Sequence, residues 1–201
     1  MKDWTGNKKT TFVTLGASNH SDKERESNDY YATDPKSLEI FLNKIQMDNI
    51  HLCNQIWECA CGEGHLSKVL ENRGYKVYST DLIDRGFGEG NIDFLKYDGK
   101  KIHCDILTNP PYKYAKEFVK KSLDIQDIGY KTIMFLKIQF LEGQARKKLF
   151  ETYPPKFVYV NSVRQACYFN GDMSKKMNSA SCYCWYIWEK GFKGETIVRW
   201  L

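Results

Sequence analysis

Three observations predict a doubly wound α/β sheet. Short apolar runs that are typical of buried strands alternate with segments whose apolar residues recur at helical spacing. The first strand-to-helix junction contains Gly62 and Gly64 in a Gly-x-Gly turn, which is common at the start of nucleotide-binding α/β folds. Two further apolar runs close the chain as a terminal strand pair. The length of 201 residues indicates one domain with a substantial core.

The elements follow from these patterns in chain order. Apolar runs predict strands over 55–60, 75–80, 104–108, 132–136, 157–160 and 182–188. The first helix is predicted to begin at Pro35, capped by Thr33 or Asp34, because proline is favoured in the first turn of a helix. Its apolar stripe extends to Ile45. Similar stripes predict helices over 65–72, 115–123 and 144–150.

Two polar segments lie outside this pattern. Residues 1–28 are rich in Lys, Asn, Ser and Glu and predict a flexible arm, with an arm that folds over a ligand or contacts nucleic acid as the alternative. Residues 161–181 are predicted to form a long loop between two strands. Its basic, amide and aromatic side chains are of the kinds that contact nucleic acid, and the candidates are Arg164, Gln165, Tyr168, Lys175 and Lys176.

Composition narrows the class of protein. The formal charge of +5, from 30 basic and 25 acidic residues, is compatible with a polyanionic partner and equally with an ordinary enzyme. The seven cysteines lack the C-x₂-C spacing of zinc sites, so we expect reduced thiols and no metal. The polar N-terminus and the lack of a long apolar run predict no signal peptide, no membrane contact and a cytoplasmic location.

The most informative stretch is Asn109-Pro110-Pro111-Tyr112, which directly follows a predicted buried strand. Proline cannot donate to a sheet ladder, so the strand ends by Asn109, whose backbone is held extended by the proline after it. Ligands of open α/β sheets bind at this carboxyl edge. The Asn109 side-chain oxygen and the Pro110 carbonyl could accept both hydrogens of an amino group on a flat ring, while Tyr112 stacks on that ring.

Two other features indicate a nucleoside site. Asp81 stands at the tip of the second predicted strand, about twenty residues after the glycines, where an acid binds ribose hydroxyls in related folds. A helix cap is the alternative for Asp81, and a purely structural turn is the alternative for the glycines. Ser67 occupies the place of a third glycine, which argues against a pyrophosphate cofactor. Further on, Asp93 and Phe94 could supply a polar group and a ring to an adenine.

Taken together, these motifs resemble those of the class I, S-adenosylmethionine-dependent amino-group DNA methyltransferases that modify adenine N6. The resemblance covers 29–35, the cofactor motif 58–64, Asp81, the pair Asp93-Phe94 and the catalytic tetrapeptide 109–112. It implies a Rossmann-like sheet, mostly parallel with an antiparallel C-terminal strand. The cofactor-binding residues that it implies are Tyr31, Ala32, Thr33, Pro35, Glu58, Ala60, Cys61, Gly62, Gly64, His65, Asp81, Leu82, Asp93, Phe94 and Asn109.

The resemblance implies methyl transfer from S-adenosylmethionine to adenine N6 in double-stranded DNA, with the base flipped out. The catalytic residues would be Asn109, Pro110, Pro111 and Tyr112, and Lys113 would join the loop residues as a DNA contact. Residues 29–201 would form one catalytic domain, similar to small phage-type or orphan members. That leaves no room for a separate target-recognition domain. Recognition would fall to 161–181, to the arm 1–28 or to a second subunit, as in a homodimer.

Other functions remain open at this point. The tetrapeptide also occurs in methyltransferases that act on ribosomal RNA bases or protein glutamine, and the segment Tyr31-x-Thr33-x-Pro35 is what favours DNA. A non-catalytic nucleic-acid-binding protein with the same fold is a further alternative. Cys59 and His65 could be packing choices, and the lysines of the helix 115–123 could form a solvated face. The DNA recognition sequence, the strand state of the substrate and any restriction partner are not specified by these motifs.

Overall fold

A computed structural model describes residues 31–163, the backbone of 167–169 and residues 182–201. This part of the chain contains nine strands and four α-helices. The strands are β1 Tyr31–Thr33, β2 Gln55–Glu58, β3 Lys76–Ser79, β4 Asp105–Thr108, β5 Lys131–Lys137, β6 Phe157–Val160, β7 Cys167–Phe169, β8 Tyr183–Glu189 and β9 Ile197–Trp200. The helices are α1 Pro35–Met47, α2 His65–Asn72, α3 Ala115–Ile125 and α4 Gln144–Thr152, with 3₁₀ turns at Phe94–Lys96, Tyr112–Tyr114 and Ile138–Leu141.

Seven strands form one sheet in the order β3-β2-β4-β5-β8-β6-β9. Strands β3, β2, β4 and β5 pair in parallel, and so do β6 and β9. Strand β8 lies between β5 and β6 and is antiparallel to both. The structure therefore confirms the predicted fold class, a mostly parallel α/β sheet with an antiparallel strand near the C-terminus.

The six strands and four helices expected from the sequence are all present, with ends that differ by one or two residues. The structure adds β9 and a separate two-stranded antiparallel sheet of β1 and β7, in which Thr33 is opposite Cys167. The prediction of a continuous loop over 161–181 is wrong at β7, because three of its residues pair with β1. The predicted arm 1–28 lies outside the described residues.

Helices cover both faces of the sheet. Helix α1 begins with Asp34, whose side chain accepts a hydrogen bond from the Lys36 amide at 2.9 Å, and with Pro35 in its first turn. The residues Leu38, Phe41, Leu42 and Ile45 are buried at helical spacing and pack with α2 on one face of the sheet. On the other face α3 packs with the Phe94 turn and with Leu149 of α4. No helix of the described chain has both the length and the apolar character needed to cross a membrane.

Trp185 of β8 lies in the hydrophobic core between the sheet and α1. Its side chain is fully buried, stacks on Phe41 with ring centroids 4.9 Å apart and contacts Phe135 at 4.8 Å. Its Nε1 donates to Ser37 Oγ at 3.2 Å, so the polar edge of the ring is also satisfied inside the core. This one side chain links the antiparallel strand to the first helix.

We expect Trp185→Ala to lower the free energy of unfolding by about 3–5 kcal/mol, because a large cavity opens in a core that cannot collapse around it. Trp200→Ala in β9 is the matched control, because that side chain is 64% exposed and its loss should change stability by less than about 1 kcal/mol. Urea unfolding followed by circular dichroism measures both. Equal effects of the two substitutions would contradict this assignment of the core.

Candidate active site

A cleft of about 490 Å³ lies at the carboxyl edge of the parallel strands. Its walls come from the ends of β1, β2 and β4 and from the segment after β3, which is where open α/β sheets bind their ligands. Most of the site residues expected from the sequence meet here. They are Ala32, Thr33, Glu58, Ala60, Cys61, His65, Asp81, Leu82, Asp93, Phe94, Asn109, Pro110, Pro111, Tyr112 and Lys113.

Some expected residues lie elsewhere. Pro35, Gly62 and Gly64 are not part of the cleft lining, and their local roles are to start α1 and to shape the turn before α2. The backbone of Tyr31 lies in β1 and that of Tyr168 in β7, but their side chains are outside the description. The candidate residues Arg164, Gln165, Lys175 and Lys176 fall outside the described residues.

The turn between β2 and α2 needs glycine for two different reasons. Gly62 and Gly64 have φ values of +54° and +78°, which lie in the left-handed region that side chains disfavour. At Gly64 a Cβ atom would also lie 2.4 Å from the ring of Phe87. The loop after β3 therefore packs directly on the turn, and any side chain at Gly64 would push it away.

Asp81 joins the ends of β2 and β3. Its Oδ2 accepts a hydrogen bond from the Gly62 amide at 2.8 Å, and its Oδ1 accepts one from the Ile83 amide at 2.9 Å. No helix begins between Asp81 and the 3₁₀ turn at Phe94–Lys96, so the helix-cap alternative for Asp81 is wrong. A carboxylate has further lone pairs beyond these two bonds, and Asp81 lines the cleft, so it can still accept from a ligand hydroxyl.

Glu58 is a buried acid at the end of β2. Ser67 Oγ donates to its Oε2 at 2.7 Å and also lies 2.8 Å from Ser79 Oγ. The pKa of Glu58 is raised to about 8, mainly by burial and to a smaller extent by the nearby charge of Asp81, although the hydrogen bond from Ser67 acts to lower it. Ser67, which takes the place of a third glycine, thus has a clear role as the hydrogen-bond partner of this acid.

The catalytic tetrapeptide predicted from the sequence forms a corner after β4. Asn109 Nδ2 donates to Thr33 Oγ1 at 2.9 Å, which ties the amide to the end of β1. Tyr112 begins a 3₁₀ turn, and its ring has Lys137 Nζ 5.5 Å from its centroid and the ring of Tyr183 at 6.0 Å. The amide and the aromatic ring are both held by side chains from other strands.

Three other predicted residues have local partners as well as cleft positions. Asp93 Oδ1 accepts from the Leu95 amide at 3.1 Å and so caps the 3₁₀ turn. Phe94 is 2% exposed and packs edge to face on Trp57 with centroids 5.2 Å apart, so only a margin of its ring faces the cleft. Burial lowers the pKa of His65, whose Nε2 lies 4.0 Å from a Glu63 carboxylate oxygen.

Sequence reasoning missed a second group of lining residues. They are Cys59, Leu66, Ile83, Arg85, Ile92, Leu95, Lys96, Tyr114 and Phe118. Several lie in the irregular segment after β3. This segment turns back to the end of β3, where the Glu89 amide donates a hydrogen bond to the Ser79 carbonyl at 2.9 Å. Such a segment has no periodic pattern, although the apolar pair Leu82 and Ile83 after Asp81, which lines the cleft, is a signal in the sequence. Among the described residues no group of three or more His, Cys, Asp or Glu side chains is arranged to hold a metal ion.

Comparisons with known proteins relate this fold to solved structures. No protein-family model and no curated protein matches the sequence. Among solved structures, a protein of Pyrococcus horikoshii described as an RNA methyltransferase has a TM-score of 0.61 at 13% identity, over 93% of this chain and 99% of its own. One described as a class I S-adenosylmethionine-dependent methyltransferase of Listeria monocytogenes has a TM-score of 0.58 at 12% identity, over 96% of this chain and 72% of its own.

A third structure is the methyltransferase subunit of a type I restriction-modification system from Streptococcus thermophilus. It has a TM-score of 0.59 at 14% identity, over 86% of this chain and 48% of that larger protein. At these identities the likeness concerns the fold. The chain therefore has the Rossmann-like fold of class I methyltransferases.

The raised pKa of Glu58 predicts how stability depends on pH. Between about pH 4.5, its usual value, and about pH 8, the folded state holds a proton that the unfolded state has released, so stability falls as pH rises. We expect Glu58→Gln, which keeps an acceptor for Ser67, to remove this dependence. The free energy of unfolding of the variant minus that of the original protein should therefore increase with pH, by up to about 1.4 kcal/mol per pH unit between about pH 4.5 and about pH 8. Urea unfolding without ligands at pH 5.5 to 8.5 measures the difference, and a constant difference would contradict the prediction.

Proposed function

We propose that this protein transfers a methyl group from S-adenosylmethionine to the exocyclic N6 amino group of adenine in DNA. The observation that supports this most directly is the shared cleft. Asn109 and Pro110 of the β4 corner line one cleft with Glu58 and Asp81. This common position supports the proposal that an acceptor pair for an amino group lies beside a nucleoside-binding edge.

The residues present fit the proposed cofactor. Asp81, at the end of β3, is placed to accept hydrogen bonds from ribose hydroxyls, and Leu82, Ile83 and Ile92 give the cleft an apolar wall for a purine. Glu58 offers a carboxyl group to the ammonium of the amino-acid end. When bound, S-adenosylmethionine supplies an electrophilic methyl group on a sulfonium.

The chemistry left to the chain is orientation and electrostatics. The lone pair of an adenine amino group is delocalised into the ring, which makes the nitrogen a poor nucleophile. Asn109 Oδ1 and the Pro110 carbonyl would accept its two hydrogens and favour a tetrahedral, nucleophilic nitrogen. An amide is not a base near neutral pH, so the proton leaves after the methyl group has been transferred.

Tyr112 would hold the target base. An adenine inside a duplex cannot reach the cleft, so it must be turned out of the helix. Stacking on an aromatic ring contributes about 1–3 kcal/mol and offsets part of the unstacking cost. The contacts of Tyr112 with Lys137 and Tyr183 support the ring from the protein side.

DNA is the proposed substrate because the segment 31–35, which resembles that of DNA adenine methyltransferases, lines the same cleft through Ala32 and Thr33. The restriction-modification subunit among the structural neighbours is compatible with this choice. The second candidate function is methylation of a ribosomal RNA base or of a protein glutamine. Of these two substrates, RNA is favoured by the structural likeness to the Pyrococcus protein described as an RNA methyltransferase. Base recognition by 161–181, by the arm 1–28 or by a second subunit is part of the proposal.

The reaction can be tested with tritiated S-adenosylmethionine, mixed-sequence duplex DNA and mass spectrometry of the digested nucleosides. We expect labelled N6-methyladenine, and we expect Asn109→Ala to lower its formation by about 10²-fold or more because an acceptor of the transition state is lost. Asn43→Ala is the control, since that side chain is exposed on α1, accepts a hydrogen bond from Arg73 at 2.8 Å and does not line the cleft. Label in ribosomal RNA or ribosomal protein, with none in DNA, would replace DNA by the second candidate.

A second experiment separates cofactor residues from substrate residues. We expect Asp81→Ala to weaken cofactor binding by about 10- to 100-fold, because it removes a charged hydrogen-bond acceptor and the tether on Gly62. Tyr112→Ala should lower kcat by a similar factor and leave the cofactor Kd within about twofold. Tyr112→Phe retains the ring and serves as its control. Isothermal titration calorimetry and steady-state kinetics give both quantities, and equal loss of cofactor affinity in the two alanine variants would refute this division of roles.

A further inference from the structure

We infer that Thr33 is a positioning residue for Asn109 and that the pairing of β1 with β7 holds it in place. The resemblance to adenine methyltransferases assigns Thr33 to the cofactor, whereas the geometry points to the catalytic amide. The inference rests on the proposed function in one respect, namely that Asn109 is the acceptor for the reacting amino group.

The bond between the two side chains is partly buried, with Thr33 enclosed and Asn109 half-buried at the edge of the cleft. Thr33 is 2% exposed, and its Oγ1 accepts from Asn109 Nδ2 at 2.9 Å. A hydrogen bond in a buried setting is more directional and harder to replace by water than one at the surface. Because the amide nitrogen donates to Thr33, the amide oxygen occupies the other corner of the same planar group. The hydroxyl therefore sets the orientation that an acceptor for a substrate amino group requires.

Thr33 can position the Asn109 side chain because the backbone of Thr33 is itself held by the structure on both sides. In β1 it is opposite Cys167 of β7, and Ala32 is opposite Tyr168. On its other side the chain enters α1 through Asp34, whose side chain caps the Lys36 amide, and through Pro35, whose φ is restricted. A short strand and a capped helix start meet at this residue.

Strand β7, the partner of β1, connects Thr33 to the segment that is proposed to contact the nucleic acid. Strand β7 belongs to the segment 161–181, which is proposed to contact the nucleic acid. The pairing β7–β1 and the bond Thr33–Asn109 form a continuous connection from that segment to the reacting amide. In this inference the orientation of Asn109 depends on a strand pair whose second strand belongs to the segment proposed to contact the nucleic acid.

The substitutions Thr33→Val and Thr33→Ser test the inference. Valine keeps the shape and removes the hydroxyl, and serine keeps the hydroxyl. Thr132→Val is the matched control, since Thr132 is a buried threonine whose hydroxyl donates to Gln126 Oε1 at 2.6 Å at the opposite end of the sheet.

The first readout needs neither cofactor nor substrate. In the free, ¹⁵N-labelled protein the side-chain NH₂ signal of Asn109, identified by its loss in Asn109→Ala, should exchange slowly with solvent. We expect exchange to accelerate about tenfold or more in Thr33→Val, and to remain near the original rate in Thr33→Ser and Thr132→Val. Equal exchange rates in all four proteins would overturn the inference whatever the enzyme acts on.

The second readout is methyl transfer from tritiated S-adenosylmethionine to mixed-sequence duplex DNA. We expect Thr33→Val to lower kcat by about 10- to 100-fold, the loss typical of a misplaced reacting group, with cofactor Kd and DNA KM within about twofold and with activity restored in Thr33→Ser. A loss of activity that follows a rise in cofactor Kd would show Thr33 to be a cofactor contact and overturn the inference. Unchanged kcat in Thr33→Val, with Asn109→Ala inactive, would overturn it and leave the proposed function intact. An active Asn109→Ala would overturn the inference together with the catalytic role proposed for Asn109, whereas no transfer to DNA by the original protein would overturn the proposed substrate.

Discussion

Strands β2, β3 and β4 pair in parallel, so their carboxyl ends meet at one edge of the sheet, and the cleft depends on this pairing. Each strand delivers one polar side chain to that edge: Glu58, Asp81 and Asn109. Each of these is then fixed by a hydrogen bond to a different segment, through Ser67, Gly62 and Thr33 respectively. The sheet sets where the groups lie, and the bonds set how they are directed.

The electrostatic character of the cleft follows from burial. Glu58 is buried, and the charge of Asp81 nearby adds to the rise in its pKa. Adding a second negative charge there is unfavourable, and a positively charged ligand would relieve this cost. The same reasoning makes the cleft a poor site for a pyrophosphate, in agreement with the absence of a third glycine in the turn.

The sequence predicts the main strands and helices well because their apolar runs are long or periodic, as in 132–136 and in the stripe of α1. It also locates Asp81 and Asn109 at strand ends, since Gly, Pro and Asp interrupt apolar runs sharply. Strand β9 escapes prediction because Ile197, Val198 and Trp200 are all substantially exposed and show no alternation between core and solvent. The pair β1–β7 escapes it because each strand has only three residues and its partner lies far away in the sequence. Arg85 and Ile92 reach the cleft through an irregular segment whose path depends on tertiary contacts.

The central place of β8 has a consequence for how the chain is made. It is the strand that joins β5 to β6, yet it is synthesised after both of them. Until it emerges from the ribosome, β5 has an open edge, and the aromatic rings of Phe41 and Phe135 lack the indole of Trp185 that covers them. A nascent chain stalled before Tyr183 would expose an unpaired apolar strand, the kind of surface that recruits chaperones or aggregates. Completion of the core thus waits for β8, which is synthesised after the parallel strands β2 to β5.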